Sequence, residues 1–380
     1  MQLRAIALSA LLLSSAYASD EVSFNYIYYD EDSGRTTIKS PHLYLKKEFG
    51  ADYVSEFSYT YDSVSGASPT YYDASSGASA KIPEGVLYPE DIVYGDIPYE
   101  DERRAYSLLL TKRMPKTRDE LSVGWSFSKE NDYISREISL QYLHYTDYTK
   151  NRSLTLGVSY QHNNPKVSCY LNPGYCDSTT GASVKTEKLD VVTIEAGVTQ
   201  ILTKDSLIKG SLFYIGEDGY LSNPYMRVVR YYDSYSPILA PERKPEERNA
   251  YGTLLEYKKS WQNGYFAQLS YRLYHDDWEI TSHTAQSSVT KEWAKGLAAT
   301  FKLRLYHQSS AYFYNGSIDY FTDQKYASSD RRLSSFSSFE STLCFKFPIN
   351  DTITVDLEGS YYHQKYFDSI YGSIGVKYSF

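Results

Sequence analysis

Apolar and polar residues alternate along almost the whole chain. Near its end Ile374, Val376, Tyr378 and Phe380 are interleaved with Ser373, Gly375, Lys377 and Ser379. Over 352–361 Ile353, Val355, Leu357 and Tyr361 alternate with Thr354, Asp356, Glu358 and Ser360, and over 297–308 Leu297, Ala299, Phe301, Leu303 and Leu305 alternate with Thr300, Lys302, Arg304 and Tyr306. The same holds for Leu154, Leu156, Val158 and Tyr160, and for Leu121, Val123, Trp125 and Phe127. A period of two belongs to a strand with two chemically different faces. Repeated in segments of about ten residues, with almost nothing at helical period, it predicts an all-β transmembrane antiparallel barrel. A soluble sandwich also alternates, but its strands are shorter and a single one of this length would be unusual.

The segments predict sixteen strands near 21–30, 37–48, 53–62, 104–113, 119–129, 133–146, 151–162, 187–202, 204–216, 248–261, 264–276, 280–293, 297–309, 336–347, 351–365 and 370–380. The regions 217–247 and 280–335 could change that count by two. Connections then sort by length. FGAD, MPKT, YTKN, TKD, QNG, AKG and PIND are short and fall on one side, expected to be periplasmic. The long stretches 63–103, 163–186, 217–247 and 310–335 fall on the other side with a few tight turns, as expected of an extracellular face.

Composition agrees with this reading once the alternation is known. A mean hydropathy of −0.50 suggests a soluble protein, but a barrel averages its two faces and hides its apolar one. The 42 Tyr residues suit strands and membrane interfaces. YIYY at 26–29, YFYNGSIDYF at 312–321 and SYYHQKYF at 360–367 are therefore read as parts of an interfacial aromatic girdle rather than sugar platforms. A net charge of −8 provides no basic footprint, so nucleic acid is not an expected partner.

Residues 1–18 read as a signal peptide, with Arg4, an apolar run from Ala5 to Leu13 and the small-x-small site Ala16-Tyr17-Ala18. Residues 19–380 form one barrel domain with a long acidic extracellular loop at 63–103, expected in the outer membrane of a Gram-negative bacterium. Ile374, Val376, Tyr378 and Phe380 resemble the carboxyl-terminal signal read by the barrel-assembly machinery. That machinery and membrane lipid are the expected partners. Cys169 and Cys176 bracket a turn and are expected to form a disulfide after export, whereas Cys344 is read as a small unpaired residue.

Alternation points Lys258, Glu256, Arg272, Lys302, Arg304, Glu340, Lys346, Glu358 and Lys377 into the lumen, along with Asp356, Glu195 and Glu137. Mixed charges lining a wide barrel suit an aqueous channel for small solutes, with a lumen packed shut by paired charges as the alternative. The 63–103 loop is the expected constriction. Its carboxylates Glu84, Glu90, Asp91, Asp96, Glu100, Asp101 and Glu102 match no cation-binding spacing and are read as a solvated surface. No cofactor, metal site or enzyme activity is expected. Seven histidines lack metal-ligand or triad spacing, and His275 beside Asp276 and Asp277 is the one pair suggesting a hydrolase at the rim.

Several stretches are similar to the outer-membrane barrel family called domain of unknown function 3570. They are YDSVSGASPTYYDASSGAS at 61–79, the preceding YDEDSGRTTIKSPHLYLKKEFG, DERRAYSLLLTKRM at 101–114, NPYMRVV and PERKPEERNAYGTLL. SGASP is the most specific of these. The resemblance implies an exported barrel and suggests a small lipoprotein, a flavin transferase and a thioredoxin-like protein as companions. It carries no substrate. It does supply an alternative to the channel, a non-conducting barrel acting as a scaffold or assembly partner for a periplasmic redox or flavinylation system.

Overall fold

The computed structural model describes residues 20–73, 92–168, 184–231, 237–315, 320–321 and 323–380. The expected signal peptide, Cys169, Cys176, Glu84, Glu90 and Asp91 lie outside these residues. The first strands are β1 (Glu21–Glu31), β2 (Thr36–Phe49), β3 (Tyr53–Asp73), β4 (Ile92–Arg113), β5 (Glu120–Lys129), β6 (Tyr133–Tyr145) and β7 (Arg152–Ser168). Next come β8 (Val184–Thr186), β9 (Leu189–Thr203), β10 (Ser206–Gly219), β11 (Arg227–Arg230), β12 (Ile238–Pro241) and β13 (Glu247–Trp261). The last are β14 (Tyr265–Asp276), β15 (Thr281–Glu292), β16 (Ala298–Gln308), β17 (Tyr320–Phe321), β18 (Phe336–Pro348), β19 (Ile353–Gln364) and β20 (Phe367–Ser379).

Sixteen of these strands pair antiparallel with their neighbours into a closed barrel, with β8 added beside the end of β7 and β11, β12 and β17 forming a separate small sheet. Closure is made by β20 on β1, from Glu21 opposite Ser379 to Glu31 opposite Ser369. Asp20 and Phe380 add a reciprocal pair of backbone hydrogen bonds of 3.1 and 3.0 Å. A closed ladder leaves no strand edge exposed, the condition that lets a sheet sit in hydrocarbon.

The outward face is the apolar one. Ile138, Leu156, Leu212 and Leu269 are each more than half exposed, Leu212 by 67%. On β7, Leu154, Leu156, Val158 and Tyr160 cover about 20 Å at roughly 3.3 Å per residue. Phe49, Tyr53, Trp261, Tyr265 and Trp293 ring the short-turn end of this band. A continuous apolar exterior around a polar interior is the arrangement of a barrel solvated by lipid.

The expected loop at 63–103 is largely strand. β3 and β4 run on beyond their neighbours, pairing from Ser63 opposite Glu102 to Asp73 opposite Ile92. Gly66 stands where this hairpin meets the β1–β2 connection. A Cβ there would lie 2.0 Å from the Arg35 carbonyl oxygen, so the small residues that suggested a loop instead let two backbones meet. YFYNGSIDYF is likewise no girdle, since Phe313 and Phe321 are buried away from the outward face.

An apolar exterior has a measurable signature. Leu212→Arg should cost about 2–4 kcal/mol in urea titrations of protein folded into phospholipid vesicles. The same change at Ser270, on the inward face of β14, should move the midpoint far less.

Candidate functional site

The inward faces assemble a wall of paired charges. Lys258 Nζ lies 3.0 Å from Glu256, whose other oxygen accepts from Gln268 Nε2 at 2.7 Å. Lys302 donates to Glu358 at 3.1 Å and Cys344 Sγ reaches the same carboxylate at 3.0 Å. Lys377 pairs with Glu21 at 2.5 Å, while Lys346 stands opposite Asp356 and Arg304 opposite Glu340 in the register. Arg272 lies over the Phe213 ring at 4.5 Å. That ring needs Gly252 across from it, where a Cβ would come within 2.1 Å. Gln161 donates to Glu137 at 2.9 Å, and Glu195 lies opposite Phe213. All the charged residues expected in the lumen are therefore on the inward face. Neighbouring strands bring opposite charges together there, so the wall has alternating polarity rather than a field of one sign.

Towards the short-turn end this wall borders an open cavity of about 920 Å³, lined by Asn25, His42, Lys302, Cys344, Lys346 and Asp356. At the other end the mouth is spanned by a cap that the sequence did not reveal. Its parts are the connections between β10 and β13 and between β16 and β18. β11 pairs antiparallel with β12 and parallel with β17, and Arg243 bridges to Ala327. Val228, Phe321 and Ala327 make one small core. Trp278, Ile280, Ala311, Phe313 and Leu333 make a second, with Trp278 edge-on to Phe313 at 5.0 Å.

The cap is tied around the rim. Tyr225 donates to Asp132 in the β5–β6 turn at 2.6 Å, Tyr366 donates to Ser334 at 3.0 Å, and β11 lies against β3. Elements from widely separated parts of the barrel wall meet through it. The cap thus spans the mouth through connections other than 63–103, whose residues 74–91 lie outside the described residues.

A buried ionic lock holds the two connections together. Glu242 and Lys244 are 3.3 Å apart, and Lys244 is 3.6 Å from Asp330. Arg332 grips Asp330 through Nε at 2.8 Å and Nη2 at 2.6 Å. Asn223 N donates to Glu242 at 2.6 Å, and Ser328 donates to the same carboxylate. Burial pushes the Asp330 carboxyl up, but Arg332 and Lys244 outweigh it and hold the group below the usual carboxylate range. Burial raises Glu242, which Lys244 only partly offsets. Burial also lowers the Arg227 guanidinium to about 10.

The rim hydrolase pair does not form. His275 Nδ1 meets Thr281 Oγ1 at 2.9 Å, Asp276 binds Arg248 at 2.6 Å, and Asp277 accepts from Asn249 N at 3.0 Å. Period two explains this, because His275 faces outward and Asp276 inward. Of the acidic 63–103 set, Asp101 approaches Glu130 and Asp132 and accepts from Asn131 Nδ2 at 2.8 Å. Cys344 is a free thiol. The usable sequence signal for the cap was length, since connections of this size in a barrel tend to have structure of their own.

A family model described as "Protein of unknown function (DUF3570)" matches residues 3–376. No curated protein matches the chain. Among solved structures, the chain is similar to the ferric enterobactin receptor PfeA of Pseudomonas aeruginosa at 10% identity and a TM-score of 0.45. That match covers 93% of this chain and 54% of the receptor. OccAB1 of Acinetobacter baumannii is similar at 10% identity and TM-score 0.42, over 95% of this chain and 96% of its own. For OprB of Pseudomonas putida the values are 7%, 0.45, 95% and 92%. The chain spans about half the length of the receptor.

The lock sets two expectations for hydrogen exchange. Asp330→Asn removes the carboxylate shared by Lys244 and Arg332, a loss of roughly 3–5 kcal/mol within the cap. Amides of 237–246 and 323–335 should exchange faster while those of β13 to β16 keep their protection. Acid should act in two stages. Because Glu242 is raised, acidification from above its folded value towards about 4.3 adds stability; the lowered Asp330 contributes stability above about 3.9 that is lost only as pH falls through its folded value. Protection of the cap should thus rise on mild acidification and collapse in stronger acid.

Proposed function

The chain belongs to the DUF3570 family of proteins of unknown function, and for this member we propose an outer-membrane barrel that passes small solutes under the control of its cap. The carrying observation is the cavity of about 920 Å³ lined by paired charges beneath a separately folded roof. On this reading the short turns face the periplasm and the long connections the exterior, as in barrels of this class. Alternating charges hydrate a solute path without rejecting either sign, so selectivity would come from width and from the cap. Lys302, Glu358, Lys346, Lys377, Lys258, Glu256, Arg272, Arg304 and Glu340 are the proposed pore-lining residues.

The buried lock favours a second reading. A mouth held shut by Glu242, Lys244, Asp330 and Arg332 also suits a non-conducting barrel whose open vestibule receives a periplasmic partner. A small lipoprotein, a flavin transferase or a thioredoxin-like protein would be such a partner. The outward His275 and the separation of its neighbours weigh against a rim hydrolase.

Planar-bilayer conductance separates the readings. Openings in the intact protein establish a pore, and Lys302→Glu should then shift its selectivity towards cations. Silence in the intact protein with openings after residues 223–244 are replaced by a short Gly-Ser linker identifies a capped channel. Silence of both, in protein shown to be folded and inserted, overturns the channel and leaves the scaffold.

A further inference from the structure

Six of the seven histidines face outward, His42 alone lying on the wall of the inner cavity. His144 is at the short-turn end. The other five, His162, His275, His283, His307 and His363, stand at the long-connection end of the apolar band. His162 shares a face with Val158 and Tyr160, His307 with Leu305, and His363 with Tyr361. His275, His283 and His307 sit on the consecutive strands β14, β15 and β16, with His283 directly opposite His307. His363 follows across β18, opposite Phe339.

Their fixation is uniform. Every one of the five uses Nδ1 to meet a group on its own barrel. His162 meets Asp190 at 2.7 Å and His363 meets Asp368 at 2.5 Å, each Asp also accepting from a tyrosine two residues before the histidine. His283 meets Tyr271 at 2.7 Å, His275 meets Thr281 at 2.9 Å and His307 meets Ser337 at 2.9 Å. Nε2 is left on the far side of each ring, where that of His162 also meets Asn164 Nδ2 at 3.4 Å. A hydroxyl that donates to Nδ1 places the proton on Nε2, and a protonated imidazole carries one there whatever its partner. The three hydroxyl-held rings, His275, His283 and His307, therefore turn an Nε2–H outward where a lipid-facing surface gives way to polar groups, whereas His162 and His363 have Nδ1 held by carboxylates.

Resting on the membrane-barrel reading above, we propose that this row is a binding belt for the phosphate groups of lipids in the leaflet at the long-connection end. Phosphate offers acceptors only and lies at headgroup depth, where it matches N–H donors. An aromatic girdle needs rings but no fixed ring nitrogen, so tyrosine alone would have served. The charged and titratable groups around the belt include Asp190, Arg136 and Lys188 near His162, Asp368 and Asp32 near His363, the His283–His307 pair itself, and the phenols of Tyr160, Tyr251, Tyr271 and Tyr361.

The test uses the full chain in detergent, with lipid retention read by native mass spectrometry. The probes are phosphatidylglycerol, a diacylglycerol of the same chains lacking phosphate, and inorganic phosphate. Wild type should prefer phosphatidylglycerol, and the combined His275→Gln, His283→Gln, His307→Gln and His363→Gln variant should lose about tenfold of that preference, whereas His42→Gln should keep it. An unchanged preference overturns the belt, and displacement of the lipid by inorganic phosphate overturns its commitment to lipid. Should the combined variant not fold, the single changes His283→Gln and His307→Gln must each lower the preference for phosphatidylglycerol, and an unchanged preference in both overturns the proposal. Flotation with vesicles separates the premises: protein that does not float loses the membrane reading and the belt with it, whereas protein that floats without preference loses the belt alone.

Discussion

Closure of the ladder between β20 and β1 is the constraint on which everything else depends. In hydrocarbon no water replaces a missing backbone partner, and each unsatisfied group costs several kcal/mol. Once Asp20 and Phe380 complete the circuit, period two sends every second side chain to lipid and the remainder to the lumen. The charged wall and the outward imidazoles are two consequences of that one alternation. A shift of a single residue in any strand would exchange them.

The cap obeys a different rule. Its parts cannot borrow hydrogen bonds from the barrel ladder, so they build a small sheet, two apolar cores and an ionic lock. Buried ion pairs add little net stability compared with an apolar filling, but they penalise any arrangement that leaves one member alone. Glu242 and Asp330 with their two cations therefore specify one closed arrangement of the roof.

Legibility followed the same division. Sixteen strands and the sorting of connections by length could be read because lipid and lumen impose their period on the sequence over nearly every strand. The continuation of β3 and β4 was hidden by Ser-Gly-Ala composition, which marks turns in isolation but here permits the approach of Gly66 to Arg35. Phe313 and Phe321 misled because an aromatic cluster looks the same in a girdle and in a core. The lock was illegible for a stronger reason, since Glu242 meets Ser328, and Lys244 meets Asp330, only through the folded barrel. The histidines had no linear spacing, although Tyr160 with His162 and Tyr361 with His363 repeat a two-residue offset that puts ring and phenol on one face.

The position of the cap in the chain has a consequence for the order of assembly. Its halves flank β13, β14, β15 and β16, and they reach Asp132 and β3 far around the wall. Loop closure over such separations is entropically unfavourable until the intervening strands have curved and paired. That cost favours an assembly in which the wall pairs first and the roof closes over an already formed tube.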